Sequence, residues 1–116
     1  MNAKIIAACE AFSMGDPAPA QAFLAENIEW HIVGDRTIDG HAAVQEMCDD
    51  AAAQGTPNFK NGRVIKAKHH IIVEGADLDS DMHYCDIYAI DGGQIAEITS
   101  YSLAGASPDY TACQKV

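Results

Sequence analysis

Apolar residues recur along this chain at two periods, and the switch between them separates an early helical part from a later stranded one. Residues 3–14 set Ile5, Ala8, Cys9 and Phe12 at the i, i+3, i+4, i+7 spacing of a helix with one buried face. Gly15 ends it. Asp16-Pro17 then provides an N-cap followed by proline at the first helical position, where the missing N–H costs nothing. This predicts a short second helix to about Ala25 that buries Phe23 and Leu24. Residues 28–33 (IEWHIV) have strand composition and close on the turn signal Gly34-Asp35. Asp39-Gly40 leads into a third helix over 41–54, with Val44, Met47, Cys48 and Ala51 on one face, stopped by Gly55-Thr56-Pro57.

Beyond that point the period becomes two. Asn61-Gly62 predicts a turn, and 63–74 a single strand with Ile65, Ala67, His69, Ile71 and Val73 on one face and Lys66, Lys68 and His70 on the other. Residues 81–90 (DMHYCDIYAI) form a second long strand, Asp91-Gly92-Gly93 a hairpin turn, and 94–103 the returning strand. The tail 104–116 is small and polar and is expected to be loose. Helices placed ahead of an antiparallel meander predict an α+β domain with the helices packed on one face of the sheet.

Composition narrows the setting. At 116 residues there is room for one domain, 1–116, around one core. The net charge of −10, with only seven scattered Lys and Arg, excludes a nucleic-acid surface, which needs clustered cations. No apolar stretch approaches the roughly 20 residues that cross a bilayer. Met1-Asn2-Ala3-Lys4 lacks the features of a secretory signal, so the expectation is a cytoplasmic protein, or a mature form whose signal has been removed. Cys9, Cys48, Cys85 and Cys113 contain no CxxC pair, and reduced structural thiols are expected.

The segment Ala25-Glu26-Asn27-Ile28-Glu29-Trp30-His31-Ile32-Val33-Gly34, followed by Ile38-Asp39-Gly40-His41-Ala42-Ala43-Val44, resembles SnoaL-like proteins of the nuclear-transport-factor-2-like (cystatin-like) superfamily. Phe12-Ser13-Met14-Gly15-Asp16 upstream and 84–97 downstream match the same pattern, so the resemblance covers about residues 3–103. It implies a cone of three helices against a strongly curved, mostly antiparallel sheet, an apolar pocket, and usually a homodimer. The family includes ketosteroid isomerases, polyketide cyclases, limonene epoxide hydrolase and scytalone dehydratase, together with non-enzymatic binding members.

By that resemblance His31 falls where ketosteroid isomerase has its proton-abstracting carboxylate, and Asp86 where it has its protonated, oxyanion-binding acid. The enzyme's catalytic tyrosine corresponds to Ala8, so that oxyanion hole is not reproduced. A histidine titrating at about 6.5 can exchange a proton at neutral pH, and a carboxyl in an apolar cup resists ionisation. Together they form a candidate acid/base pair, His31 transferring the proton and Asp86 orienting it. The resemblance turns His31 inward. Plain alternation over 28–33 does the reverse, burying Ile28, Trp30 and Ile32 and sending Glu29, His31 and Val33 outward.

Asp86 interrupts a strand face otherwise made of Met82, Tyr84, Tyr88 and Ile90, and a lone acid there is either paired or functional. The pocket lining expected around it is Phe12, Trp30, Met47, His69, Tyr84 and Tyr88, and the register implied by the resemblance adds Ile98, Ser100 and Ser102 while turning Tyr101 toward a dimer interface. The opposite face of the 81–90 strand (His83, Cys85, Ile87, Ala89) is also fairly apolar. A strand apolar on both faces has both covered, which predicts a second subunit on the outer sheet face. His83 and Cys85 could share a metal, but further ligands are not evident, so no metal is assigned. No Gly-rich phosphate loop, Ser-His-Asp order or dinucleotide fingerprint is present, and no cofactor is expected.

Two functions fit. One is a cofactor-independent isomerase, cyclase or dehydratase acting on a small apolar carbonyl compound. The other is a non-catalytic ligand-binding or dimerisation module of the same shape.

Overall fold

A computed structural model describes residues 1–105 of the chain. Helix α1 (Ala3–Ser13) begins at Asn2, whose Oδ1 accepts the Lys4 backbone N–H at 2.7 Å. It buries Ile5, Ala8, Cys9 and Phe12 on one face. Gly15 follows at φ +91°, and a Cβ there would collide with the Pro57 ring. Only glycine serves both needs at this position. A 3₁₀ helix (Ala18–Phe23) carries Pro19 in its first turn and runs directly into strand β1 (Leu24–Ile32). The second helical segment is therefore a 3₁₀ turn that ends two residues before the expected Ala25. Leu24 and Ala25 are buried as strand residues, while Phe23 is half-buried.

Strand β2 (Arg36–Asp39) returns antiparallel to β1, and helix α2 (His41–Ala53) buries Val44 and Cys48. Strands β3 (Phe59–Lys66), β4 (His70–Asp77), β5 (Met82–Asp91) and β6 (Gln94–Ala104) form the antiparallel meander. The six-stranded sheet has the order β2-β1-β6-β5-β4-β3, with β1 parallel to β6 and all other neighbours antiparallel. Registers shift between Asn61 and Val64, between Ala89 and Ile90, and between Leu24 and Glu29. Such irregularities bend and twist a sheet, and this one curves around the helices.

The expected single strand over 63–74 is two strands. The Ala67 N–H donates to the His70 carbonyl at 2.9 Å, closing a hairpin over Lys68 and His69. Ile65 accordingly pairs with Ile72, not with the face of Ile71 and Val73. Asn61-Gly62 lies inside β3 at the register shift and is not a turn. The short β2 has no counterpart among the elements that the sequence predicts. The expectation about the tail falls mostly on 106–116, outside the described residues, as does Cys113.

Strand pairing sorts the inner sheet face into rows. One is Ile71, Tyr88, Ile98 and Trp30; the next toward Met82 is Val73, Asp86, Ser100 and Ile32; the one after is Gly75, Tyr84 and Ser102. Ile71, Tyr88 and Ile98 are fully buried against Ile5, Cys9, Phe12 and Val44 and form the core. Exposure rises row by row toward Met82, so the core grades into a cavity along the strand direction.

Candidate functional site

The cavity between α1, α2 and the curved sheet has a volume of about 510 Å³. That lies within the roughly 300–1,000 Å³ of small-molecule sites. Phe12, Trp30, Met47, Tyr84, Asp86 and Ser100 contribute to its walls, joined by Ser13, Ile32, Phe59 and Ser102. Phe12 and Trp30 meet edge to face at 5.3 Å between centroids, which fixes both rings at the cavity floor. Tyr84 reaches across β4. Its hydroxyl donates to Asn61 Oδ1 at 2.7 Å, and Asn61 Nδ2 donates to the Glu10 carbonyl at 2.8 Å, tying β5 and β3 to α1. The ring lies over Gly75, where a Cβ would collide with it. Burial, then the nearby Asp86 charge, pushes the Tyr84 phenol up to about 12.

Asp86 is only 9% exposed. Burial raises its carboxyl above the ordinary 3.8, while hydrogen bonds from Ser100 and Ser13 oppose the rise. Both serines are themselves supported. Trp30 Nε1–H donates to Ser100 Oγ at 2.9 Å, and Ser13 Oγ lies 2.6 Å from the Tyr88 hydroxyl. When Asp86 is ionised and accepts from both serines, Tyr88 is left as the donor to Ser13. Two donor chains, Trp30–Ser100 and Tyr88–Ser13, thus converge on one carboxylate. Burial drives the Tyr88 phenol well above its ordinary range, so it stays protonated in that role. Cys48 lines the same cavity, but burial, with Asp49 adding to it, pushes its thiol up to about 11, so it is no ready nucleophile.

The structure corrects four placements. His31 does not face Asp86. In the paired strands it stands in the row of Thr37, Thr99 and Ile87 on the outer face, while Trp30 and Ile32 face inward. Its Nε2 lies 3.2 Å from Glu97 and 3.9 Å from Glu29, and its Nδ1 is 3.0 Å from Thr37 Oγ1. Alternation from the buried Ile28 dictates this orientation, and the inward placement implied by the resemblance fails. His69 is also outside: it sits in the β3–β4 turn, against a separate small cavity bordered by Met1, Phe23 and Gly93. Tyr88 and Ile98 are core residues beneath the floor; Tyr88 acts on the site through Ser13. Sequence reasoning passed over Ser13 and Asn61. Ser13 could have been found, because it continues the buried Ile5–Cys9 face of α1 at a further i+4 step.

Among the described residues no grouping of His, Cys, Asp and Glu could hold a metal ion. None of the described helices is long and apolar enough to cross a membrane.

The SnoaL-like domain family matches residues 5–98. Among solved structures, an NTF2-like protein of unknown function from Cytophaga hutchinsonii is 27% identical. The match covers 88% of this chain and 100% of that one, with a TM-score of 0.75. A Silicibacter pomeroyi protein with a cystatin-like fold is 20% identical over 97% of this chain and 79% of its own, with a TM-score of 0.70. An LEH-like epoxide hydrolase from M. tuberculosis is 16% identical over 86% and 77%, with a TM-score of 0.62. No curated protein matches the chain.

Proposed function

The chain belongs to the SnoaL-like domain family, and from that premise we propose that it is a small-molecule pocket protein in which Asp86 anchors the polar group of a compact, largely apolar ligand. One observation carries this reading. A single buried carboxyl, held by two buttressed serines, lines an apolar cavity of ligand size. The fold alone does not choose a chemistry. Trp30, the chain's one tryptophan, borders Asp86's partner Ser100, so its fluorescence reports occupancy. A screen of small apolar compounds by Trp30 fluorescence should find ligands that Asp86→Asn weakens about tenfold, the cost of losing one charge-assisted hydrogen bond. His31→Ala should leave them unchanged. Ligands that bind wild type and Asp86→Asn alike contradict the proposal.

A second reading is favoured by the raised Asp86 carboxyl. A carboxyl displaced toward neutral pH can return a proton it has taken, so Asp86 could act alone in acid/base isomerisation, cyclisation or dehydration of a carbonyl compound. Its serine donors, Ser100 supported by Trp30, would set its basicity. The epoxide hydrolase among the structural neighbours adds little here, because among the described residues no arginine lines this cavity. Turnover of a bound carbonyl compound that is lost in Asp86→Asn, with binding retained, separates this reading from binding alone.

The outer face of the sheet exposes Tyr101 (47%) and Leu103 (75%), together with Val33 and Ile65. A homodimer through this face is proposed on that basis. Light scattering on wild type and Tyr101→Glu tests it: a dimer that becomes monomeric supports the pairing, and a monomeric wild type contradicts it.

A further inference from the structure

The charges around the cavity are one-sided. Among the described residues two carboxylates line it, Asp86 at depth and Asp77 near the mouth, and no lysine, arginine or histidine does. Asp77 accepts from the Asp79 N–H at 2.9 Å and from Ser80 Oγ at 2.9 Å, which fixes its carboxylate at the rim. Arg36 ends the row that contains Asp86 and Ile32, but its guanidinium lies on Met47 Sδ, 3.6 Å away, and near Asp35. Four aromatic rings, Phe12, Trp30, Phe59 and Tyr84, form much of the wall between the two acids. The chain as a whole carries a net charge of −10.

We propose that the ligand of this cavity is a compact apolar amine, whose ammonium group pairs with Asp86 while its hydrophobic body lies against the aromatic wall. This inference rests on the pocket reading above and adds the charge of the ligand. The physical reasons are separate and agree. Asp86 accepts from two serines, and a carboxylate has about four lone-pair positions, so it retains acceptor capacity toward the cavity. An ionised acid buried without a counter-ion is costly, and an ammonium supplies the missing charge together with a charge-assisted hydrogen bond. Aromatic faces attract cations further. Two carboxylates and the surrounding negative field repel an anionic ligand before it reaches the mouth.

The test is a matched set of probes titrated at pH 7 against the whole chain, with Trp30 fluorescence and calorimetry as readouts. The probes are 2-phenylethylamine, 2-phenylethanol and 3-phenylpropanoate. The expected result is that the amine binds at least about tenfold more tightly than the alcohol, the worth of one charged hydrogen bond, and that the carboxylate does not bind. In Asp86→Asn the preference for the amine over the alcohol should collapse to near parity. An alcohol or carboxylate that binds as tightly as the amine overturns this inference and leaves the pocket reading standing. A preference that survives in Asp86→Asn overturns the assignment to Asp86. Silence from all three at millimolar concentration overturns both the inference and the pocket reading for ligands of this size.

Discussion

The inner and outer faces of the sheet are built by alternate residues of the same strands, yet their polar groups have different chemistry. Trp30 and His31 are neighbours in β1. Trp30 donates to a half-buried serine beside Asp86, whereas His31 lies among Glu97, Glu29 and Thr37 on an open face. On the inside an acid sits in low dielectric with few, fixed partners, so each hydrogen bond alters its behaviour. On the outside a polar contact whose partners are a third to a half exposed is screened by water and contributes little. The position of one residue along a strand, odd or even, thus separates a functional group from a surface group.

The sharpest way to test that contrast is to remove comparable bulk from each face. Ile98→Ala, fully buried in the core, should cost about 2–5 kcal/mol in denaturant unfolding. Leu103→Ala on the outer face should stay within about 0.5 kcal/mol in the monomer. Equal losses would break the distinction. A smaller effect is expected from Tyr88→Phe, which deletes only the hydroxyl that supports Ser13. Loss of this buried hydrogen bond should cost about 1–2 kcal/mol, and Asp86, losing a polarised donor, should titrate higher still. An unchanged Asp86 titration would remove Tyr88 from the site.

Asp86→Asn should act in the opposite direction on stability. Burial raises the folded carboxyl above its unfolded value. As pH rises from about 4 through the folded pKa, the unfolded chain releases this proton more readily than the native one, and stability falls. The full penalty is present above the folded pKa and absent below the unfolded one. Removing the ionisable group should therefore stabilise the protein at pH 7 and flatten its stability between those limits. A variant less stable than wild type at pH 7, with the same pH slope, would contradict this. The smallest effect belongs to His31→Ala, which should change stability by no more than about 0.5 kcal/mol in salt titrations at neutral pH.

What the sequence disclosed follows the strength of its local signals. The α1 face, the α2 face and the Asp91-Gly92-Gly93 hairpin were legible because period and turn chemistry agree there. Asp86 stood out because a carboxylate among Tyr84, Tyr88 and Met82 breaks an apolar alternation. The β3–β4 hairpin was hidden for a physical reason. Its turn, Lys68-His69, contains no glycine or proline and no positive φ, and alternation continues across it without a break. Asn61-Gly62 misled in the opposite sense, since the same residue pair serves a register shift inside β3. β2 is too short, at four residues with a charge at each end, to carry a pattern. The site was partly legible for a related reason. Inward residues on one strand can be counted from the sequence, but the convergence of Ser13, Ser100 and Tyr88 on Asp86 depends on pairing α1, β6 and β5, which no local window contains.

The most direct test of the central claim, that Asp86 is a sheltered acid governed by its serine partners and independent of His31, is a carbon-13 NMR titration of its side-chain carboxyl. The predicted midpoint lies above the ordinary 3.8, is unchanged in His31→Ala, and moves higher in Ser100→Ala, which removes a stabilising donor. A midpoint at or below the ordinary value, or one that shifts with His31 and ignores Ser100, would contradict the account.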